Sequence, residues 1–299
     1  MRNIMRCNAR LRLGIIGGLL TALSMTSPVY GAGGDAQTAM EEGTLTLGYF
    51  PIISTVALFK RFGPLRDYLS ESLGQPIILQ TAKDFPTFLE RTDDRAYDIV
   101  VTAPHYAVKA SDSGRYRIRS TVVEDVQQLV VVREDSPISD ITDLAGKRVS
   151  TPPRHALMTM MGVQHMIDSG LSGDRAPVYR EFTSHNAAIE ALLANEVDAA
   201  IASSNVVRKA IKQGDPLRTI SRGLQLPNMA TMVATDLDQE IGDRVVDILV
   251  GMKETEKGRE TLRQIMFTGY RAVTAAEYEP ARPYLRQGVA DLHKNHEGL

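Results

Sequence analysis

The sequence has 299 residues, of which 43% are hydrophobic and 23% are charged, and its 34 basic residues nearly balance 36 acidic ones. This near-neutral charge argues against a dedicated nucleic-acid binder, which is normally basic. The 23 Gly, 14 Pro and single Cys exclude collagen-like, disordered and disulfide-rich chains. With 6% aromatic residues and no Trp, we expect no large stacking platform for bases or sugars.

The first 34 residues are typical of a secretory signal peptide. Four arginines precede the apolar run Leu13–Leu23, and small residues follow it up to Gly34. The run of about 11 residues is too short to span a bilayer as a helix, although an uncleaved anchor stays an alternative. We predict cleavage at about residues 31–36 and export to the periplasm.

The chain that remains after cleavage differs from the whole in charge and chemistry. Removing the four basic residues that precede Asp35 leaves 30 basic and 36 acidic residues, a formal charge of −6. The single cysteine, Cys7, lies before the apolar run, so it cannot carry a lipid, and it is lost on cleavage. Disulfides, thiol nucleophiles and thiolate metal sites are therefore excluded from the exported protein.

Strands and helices alternate in two successive sets along the exported chain. The first set has predicted strands over 44–50, 76–80 and 97–102, with helices over 55–73 and 84–91. Gly63-Pro64 predicts either a kink or a restart in the first of these helices. The second set has predicted strands over 128–133, 147–150, 178–182 and 198–202, with helices over 154–169, 185–194 and 204–212. A strand over 231–234 and helices over 238–252, 256–265 and 276–294 complete the chain.

This order predicts an α/β protein with two lobes, each built on a parallel sheet covered by helices. We expect residues 44–125 plus 230–299 in lobe 1 and residues 126–229 in lobe 2. The hinge is expected near 126–129 and 223–231, where the chain crosses between lobes. Ligands of such sheets bind beyond the carboxyl ends of the strands, which places a ligand cleft between the lobes.

Catalytic and metal-binding motifs are missing from the sequence. It has no Gly-x-Ser-x-Gly, His-Glu-x-x-His or phosphate-loop pattern. The pair His293-x-x-His296 is read either as a stray metal site or as a solvated polar tail. We therefore predict a binding protein without enzymatic activity, metal site or cofactor.

Hydroxyl, His and Asn side chains recur where a predicted strand passes into a helix. Free backbone N–H groups and the positive end of the helix dipole make such junctions suited to anions. Helix capping alone is the alternative interpretation of each junction. Several of them at one cleft would hold an oxyanion. The four junctions are Thr102–Tyr106, Ser150-Thr151 before Pro152, Thr183–Asn186 and Ser203–Asn205.

From Leu45 to Tyr270 the sequence resembles the phosphate/phosphite/phosphonate family of periplasmic substrate-binding proteins of ABC transporters. The motifs that carry the resemblance include Gly48-Tyr-Phe-Pro51, Tyr97–Tyr106, Asp143–Arg148 and Asn195–Ala200. The resemblance implies a type 2 periplasmic-binding fold that closes on its ligand like a hinge.

The resemblance also implies which residues bind the ligand. By position it places Tyr49 and Phe50 at the exit of the first strand, and Thr102 and Tyr106 at the next junction. It matches His185, with Asn186 beside it, to a histidine that faces the phosphonate group. An anion next to this imidazole would raise its pKa and favour the charged form.

One segment departs from the family pattern. Many members have Ser-Thr-Ser-Gly at the anion loop, whereas this chain has Ser150-Thr151 followed by two prolines and Arg154. The prolines remove two N–H donors. Arg154 either replaces them with a planar charged fork or is a solvated first-turn residue.

The sequence thus predicts a monomeric receptor that captures a phosphorus oxyanion, either phosphonate, phosphite or phosphate, and delivers it to an ABC permease. A different small anion is one alternative ligand. A periplasmic sensor that signals to a membrane histidine kinase is a second interpretation, and an exported enzyme with the same cleft is a third. No nucleic-acid partner is expected.

Overall fold

The computed structural model describes residues 43–285, and all structural statements concern this range. Its strands are β1 (Leu45–Tyr49), β2 (Ile77–Gln80), β3 (Ile99–Thr102), β4 (Tyr116–Val122), β5 (Val126–Arg133), β6 (Arg148–Thr151), β7 (Val178–Glu181), β8 (Ala199–Ser203), β9 (Leu217–Leu226), β10 (Ala230–Ala234) and β11 (Tyr270–Ala272). Its α-helices are α1 (Thr55–Leu73), α2 (Phe85–Asp93), α3 (Pro104–Asp112), α4 (Leu157–Asp168), α5 (His185–Leu193), α6 (Ser204–Lys212), α7 (Gln239–Gly251) and α8 (Glu256–Ile265).

The strands of the described chain form two sheets. One has six strands in the order β11-β4-β10-β3-β1-β2, and the other has five in the order β7-β6-β8-β5-β9. The predicted parallel pairing is confirmed for β1 with β2 and β3, and for β6 with β7 and β8. The remaining strands pair antiparallel, so both sheets are mixed.

Helix α1 runs without interruption through Gly63-Pro64, so the restart expected as one alternative does not occur. It ends at Gly74, whose left-handed backbone, with φ of 68°, lets its N–H and that of the next residue bond to carbonyls of the last turn. Phe62, Leu65 and Leu69 point from α1 into the core. This core also receives α7 and α8, which cover the same face of the six-stranded sheet.

Helix α4 begins three residues later than predicted, at Leu157 instead of residue 154. The N–H of Arg154 donates to Glu181 and that of Ala156 to the carbonyl of Pro153, so these residues form a turn before the helix. The segment from Pro152 to Ala156 forms a bend and a turn instead. The anion loop expected from the sequence is therefore not a helix N-terminus.

The chain passes between the two sheets twice, at residues 123–125 after β4 and at residues 227–229 after β9. The expected hinge segment 126–129 already belongs to β5, so the first crossing lies just before it. Helix α4 packs against the 3₁₀ segment Ala275–Leu285, which covers α3 of the six-stranded sheet.

The helix predicted over 276–294 is a 3₁₀ segment as far as Leu285. Three predicted features lie outside the described range: the rest of that helix, the signal peptide and the pair His293-x-x-His296. No helix within residues 43–285 is long and apolar enough to cross a bilayer.

Candidate functional site

The carboxyl end of β3 brings an unpaired hydroxyl to the edge of the six-stranded sheet. Thr102 is the last residue of the strand and is 1% exposed, and its Oγ1 has no hydrogen-bond partner among the described residues. Helix α3 follows at once, with Ala103 as an N-cap that forms no side-chain bond and Pro104 as its first residue. A buried donor without a partner costs about 1–3 kcal/mol, so this hydroxyl is a candidate ligand contact.

Tyr106, in the first turn of α3, joins two phenylalanines in an aromatic wall at the same edge. We use this name for Phe50, Phe85 and Tyr106. The ring centroid of Phe50 lies 4.4 Å from that of Phe85 and 5.5 Å from that of Tyr106. Phe50 is buried, whereas Phe85 and Tyr106 remain partly exposed.

Tyr49 does not reach this edge, contrary to its expected role. Successive side chains of a strand point to opposite faces, so Tyr49 lies on the other side of the sheet from Phe50. Its ring stacks on Phe62 of α1, with centroids 3.8 Å apart. Burial raises the pKa of its hydroxyl well above the usual value. Tyr49 is a core residue.

Ser150 is likewise engaged within the protein. It is fully buried in β6, and its Oγ donates to the carbonyl oxygen of Ala188 in α5 at 2.8 Å. The serine ties the strand to the helix that covers it. Thr151, the next residue, is buried at the strand end and directed to the opposite face.

Arg154 in the following loop is bound to Glu181, the last residue of β7. The backbone N–H of Arg154 donates to one carboxylate oxygen of Glu181 at 2.9 Å, and Nε and Nη2 donate to the other at 2.8 and 2.7 Å. Although partial burial opposes it, these bonds from Arg154 lower the pKa of Glu181. The guanidinium is thus held in a partly exposed ion pair with Glu181.

His185 and Asn186 form the first turn of α5. Ser184 caps the helix by accepting a bond from the N–H of Ala187 at 3.1 Å, as the capping interpretation of this junction predicts. His185 is partly buried, and its Nδ1 is enclosed without a partner among the described residues. Burial lowers its pKa to about 4, which keeps the ring neutral at pH 7. Asn186 is exposed.

His105 is the polar residue near the site that sequence reasoning passed over. It is 1% exposed, and neither ring nitrogen has a partner among the described residues. Burial lowers its pKa to about 3. Its position between Pro104 and Tyr106 was a usable signal, because this short segment starts α3 directly after a strand. Glu181 was also missed, since nothing local links it to Arg154.

Metal binding finds no support among residues 43–285, where no group of three or more His, Cys, Asp or Glu side chains is placed to hold an ion. The polar atoms available to a ligand are hydroxyl, imidazole and backbone N–H groups at strand ends. These groups suit an oxyanion.

Comparison with protein families identifies the family of this chain. Residues 47–278 match the model of a family described as the ABC transporter, phosphonate, periplasmic substrate-binding protein. The chain belongs to this family. Its members are substrate-binding components of transporters rather than a class of enzymes, and membership places the protein in the periplasm.

Solved structures show the same fold at low sequence identity. PhnD1 from Prochlorococcus marinus, in complex with methylphosphonate, has a TM-score of 0.69 at 14% identity, covering 84% of this chain and 99% of its own. The binding-protein component of the ABC phosphonate transporter from Pseudomonas aeruginosa has a TM-score of 0.66 at 15% identity, covering 81% and 85%. XAC2383 from Xanthomonas citri, bound to ATP, has a TM-score of 0.69 at 16% identity, covering 82% and 97%. These likenesses confirm the predicted two-lobed type 2 periplasmic-binding fold.

Proposed function

We infer that this protein captures a small phosphorus oxyanion between its two sheets and delivers it to an ABC permease. The observation that carries this proposal is a pair of enclosed polar atoms without partners among the described residues, Oγ1 of Thr102 and Nδ1 of His185. They lie at strand-to-helix junctions of different sheets. An oxyanion held between the sheets accepts hydrogen bonds from both sides.

The two sheets are proposed as the cores of two lobes, residues 44–125 plus 230–299 and residues 126–229. Within residues 43–285, only the crossings at 123–125 and 227–229 link the strands of one sheet to those of the other in sequence. Rotation about two short crossings opens and closes the cleft. A ligand that contacts both lobes favours the closed state, because only there are all its contacts made.

Export by a cleaved signal peptide and action as a monomer without a cofactor complete the proposal. Because the exported chain has a net charge of −6, its overall field does not attract anions. Affinity then rests on local donors, such as the N–H groups and hydroxyls at helix starts.

A ligand screen on the exported protein tests this function. Thermal shift and calorimetry with phosphate, phosphite, methylphosphonate, 2-aminoethylphosphonate, sulfate and nitrate should show stabilisation by at least one phosphorus oxyanion. A ligand at 100 times its Kd adds about 2.7 kcal/mol to the free energy of unfolding. No stabilisation by any of them refutes the ligand class.

Two variants locate the site within the fold. Thr102→Val removes the unpaired hydroxyl without changing the side-chain shape, and His185→Ala removes the imidazole; both should weaken binding. Thr231→Val is the matched control. Thr231 is equally buried in the neighbouring β10, but it lies opposite Val101 in the ladder and so faces the other side of the sheet. Equal affinities of all three variants and the wild type would remove Thr102 and His185 from the site.

A further inference from the structure

The aromatic wall is an apolar feature of the sheet edge that carries Thr102. Phe85 begins α2 and Tyr106 lies in the first turn of α3, so both are held at the carboxyl edge of the sheet that contains Thr102. Phe50 joins them from the end of β1. Since Phe85 and Tyr106 remain partly exposed, the wall presents ring surface to whatever occupies the cleft.

The start of α4 supplies apolar side chains from the other sheet. Leu157 and Met158 are buried, and they belong to the same contiguous apolar cluster as Phe50. Met160 and Met161 follow in the same cluster. Methionine side chains are flexible and polarisable, so they adapt to apolar groups of irregular shape.

The loop before α4 offers few free polar groups to a ligand. Pro152 and Pro153 carry no backbone N–H, and the N–H of Arg154 donates to Glu181. The carboxylate of Glu181 is itself occupied by the guanidinium of Arg154. An ammonium group of a ligand would meet an acidic partner that is already paired with Arg154.

We propose that the cleft selects phosphonates with an apolar substituent larger than methyl, over inorganic phosphate and amino-substituted phosphonates. This inference rests on the proposed function, because the oxyanion head group is taken to bind at Thr102 and His185. The substituent then lies between the aromatic wall and the start of α4. Each methylene that leaves water in this way strengthens binding about fourfold.

A homologous series of ligands measures the effect directly. Calorimetry on the exported protein with methyl-, ethyl-, butyl- and phenylphosphonate should show affinity that rises along the series. Butylphosphonate should bind about tenfold or more tightly than methylphosphonate, and 2-aminoethylphosphonate more weakly than ethylphosphonate. If methylphosphonate binds and affinity stays flat or falls along the series, the inference is overturned while the proposed function stands. If no phosphonate or phosphate binds, the proposed function itself fails.

A variant of the wall separates its contribution from that of the head group. Phe85→Ala should abolish most of the preference for butyl- over methylphosphonate while leaving the affinity for methylphosphonate within about threefold. Phe267→Ala is the matched control, since this phenylalanine is also partly exposed but packs against Phe62 on the opposite face of the sheet. If Phe85→Ala does not fold, Phe85→Leu replaces it, with a smaller loss of preference expected. An unchanged preference in the folded variant overturns the inference.

Discussion

Acidification should destabilise this protein through His105. Burial lowers the pKa of this histidine to about 3, whereas an unfolded chain has a histidine pKa of about 6.5. Above pH 6.5 the ring is neutral in both states and has no effect. Below pH 6.5 the histidine of the unfolded chain binds a proton, whereas His105 in the folded protein stays neutral. The free energy of unfolding therefore decreases as the pH is lowered from about 6.5 to about 3.

The magnitude follows from the distance below the unfolded pKa. A pH of 5 lies about 1.5 units below the histidine pKa of the unfolded chain. At about 1.36 kcal/mol per unit, protonation stabilises the unfolded state by about 2 kcal/mol. Substitution His105→Leu removes the titrating ring and leaves a buried side chain of similar volume. Because neither ring nitrogen has a partner among the described residues, the variant should be close to the wild type in stability at pH 7.5.

The assay is urea unfolding at pH 7.5 and pH 5, followed by circular dichroism because the chain has no Trp. Between pH 7.5 and pH 5, the free energy of unfolding should decrease by about 2 kcal/mol more in the wild type than in His105→Leu. Titration of the other groups cancels in the difference. Equal losses in the wild type and His105→Leu would refute the reasoning.

Three further outcomes are expected. Gly162→Ala should lower the free energy of unfolding by about 1–3 kcal/mol, because the new Cβ lies 2.5 Å from a core isoleucine; Gly63→Ala, in an open helix position, should raise it by up to about 1 kcal/mol. Chemical denaturation measures both, and similar effects would contradict the packing shown. Glu181→Gln should change the free energy of unfolding by no more than about 1 kcal/mol, because the ion pair of Glu181 with Arg154 is partly exposed; chemical denaturation that finds a larger loss would contradict this. Lowering the pH should increase oxyanion affinity more in the wild type than in His185→Gln. A bound anion raises the depressed pKa of His185, so binding is accompanied by uptake of a proton. Identical pH profiles of affinity in calorimetry would show that His185 does not contact the ligand.

Secondary structure was largely readable from the sequence. The bounds predicted for α1, α6 and α8 agree with the structure, because apolar spacing marks the buried face of a helix. Strand β4 was missed although Tyr116 and Ile118 alternate with arginines, a signal that was present. Most residues of strand β9 are at least partly exposed, and the strand carries two arginines and a glycine. Strand β11 has only three residues. Neither strand therefore shows a clear alternation of apolar and polar residues.

The site was less predictable than the elements that carry it. Three of the four predicted strand-to-helix junctions exist, the exception being the one before α4. Thr102 and His185 are enclosed at two of them without partners among the described residues. Tyr49 and Ser150 were assigned to the ligand from position alone. The face to which each points depends on the strand's register against its neighbours, which local sequence does not fix.

By itself, the sequence determined the α/β class, the two sets of alternating elements and the family resemblance. These features depend on periodicity and on ordered short motifs, which are local properties of the chain. The tertiary structure decided which side chains meet: the ring of Phe50 packs against Phe85, that of Tyr49 stacks on Phe62, and Arg154 is bound to Glu181, 27 residues away. Charge pairing and burial are properties of groups brought together from distant segments, so only the folded chain reveals which donors remain for a ligand.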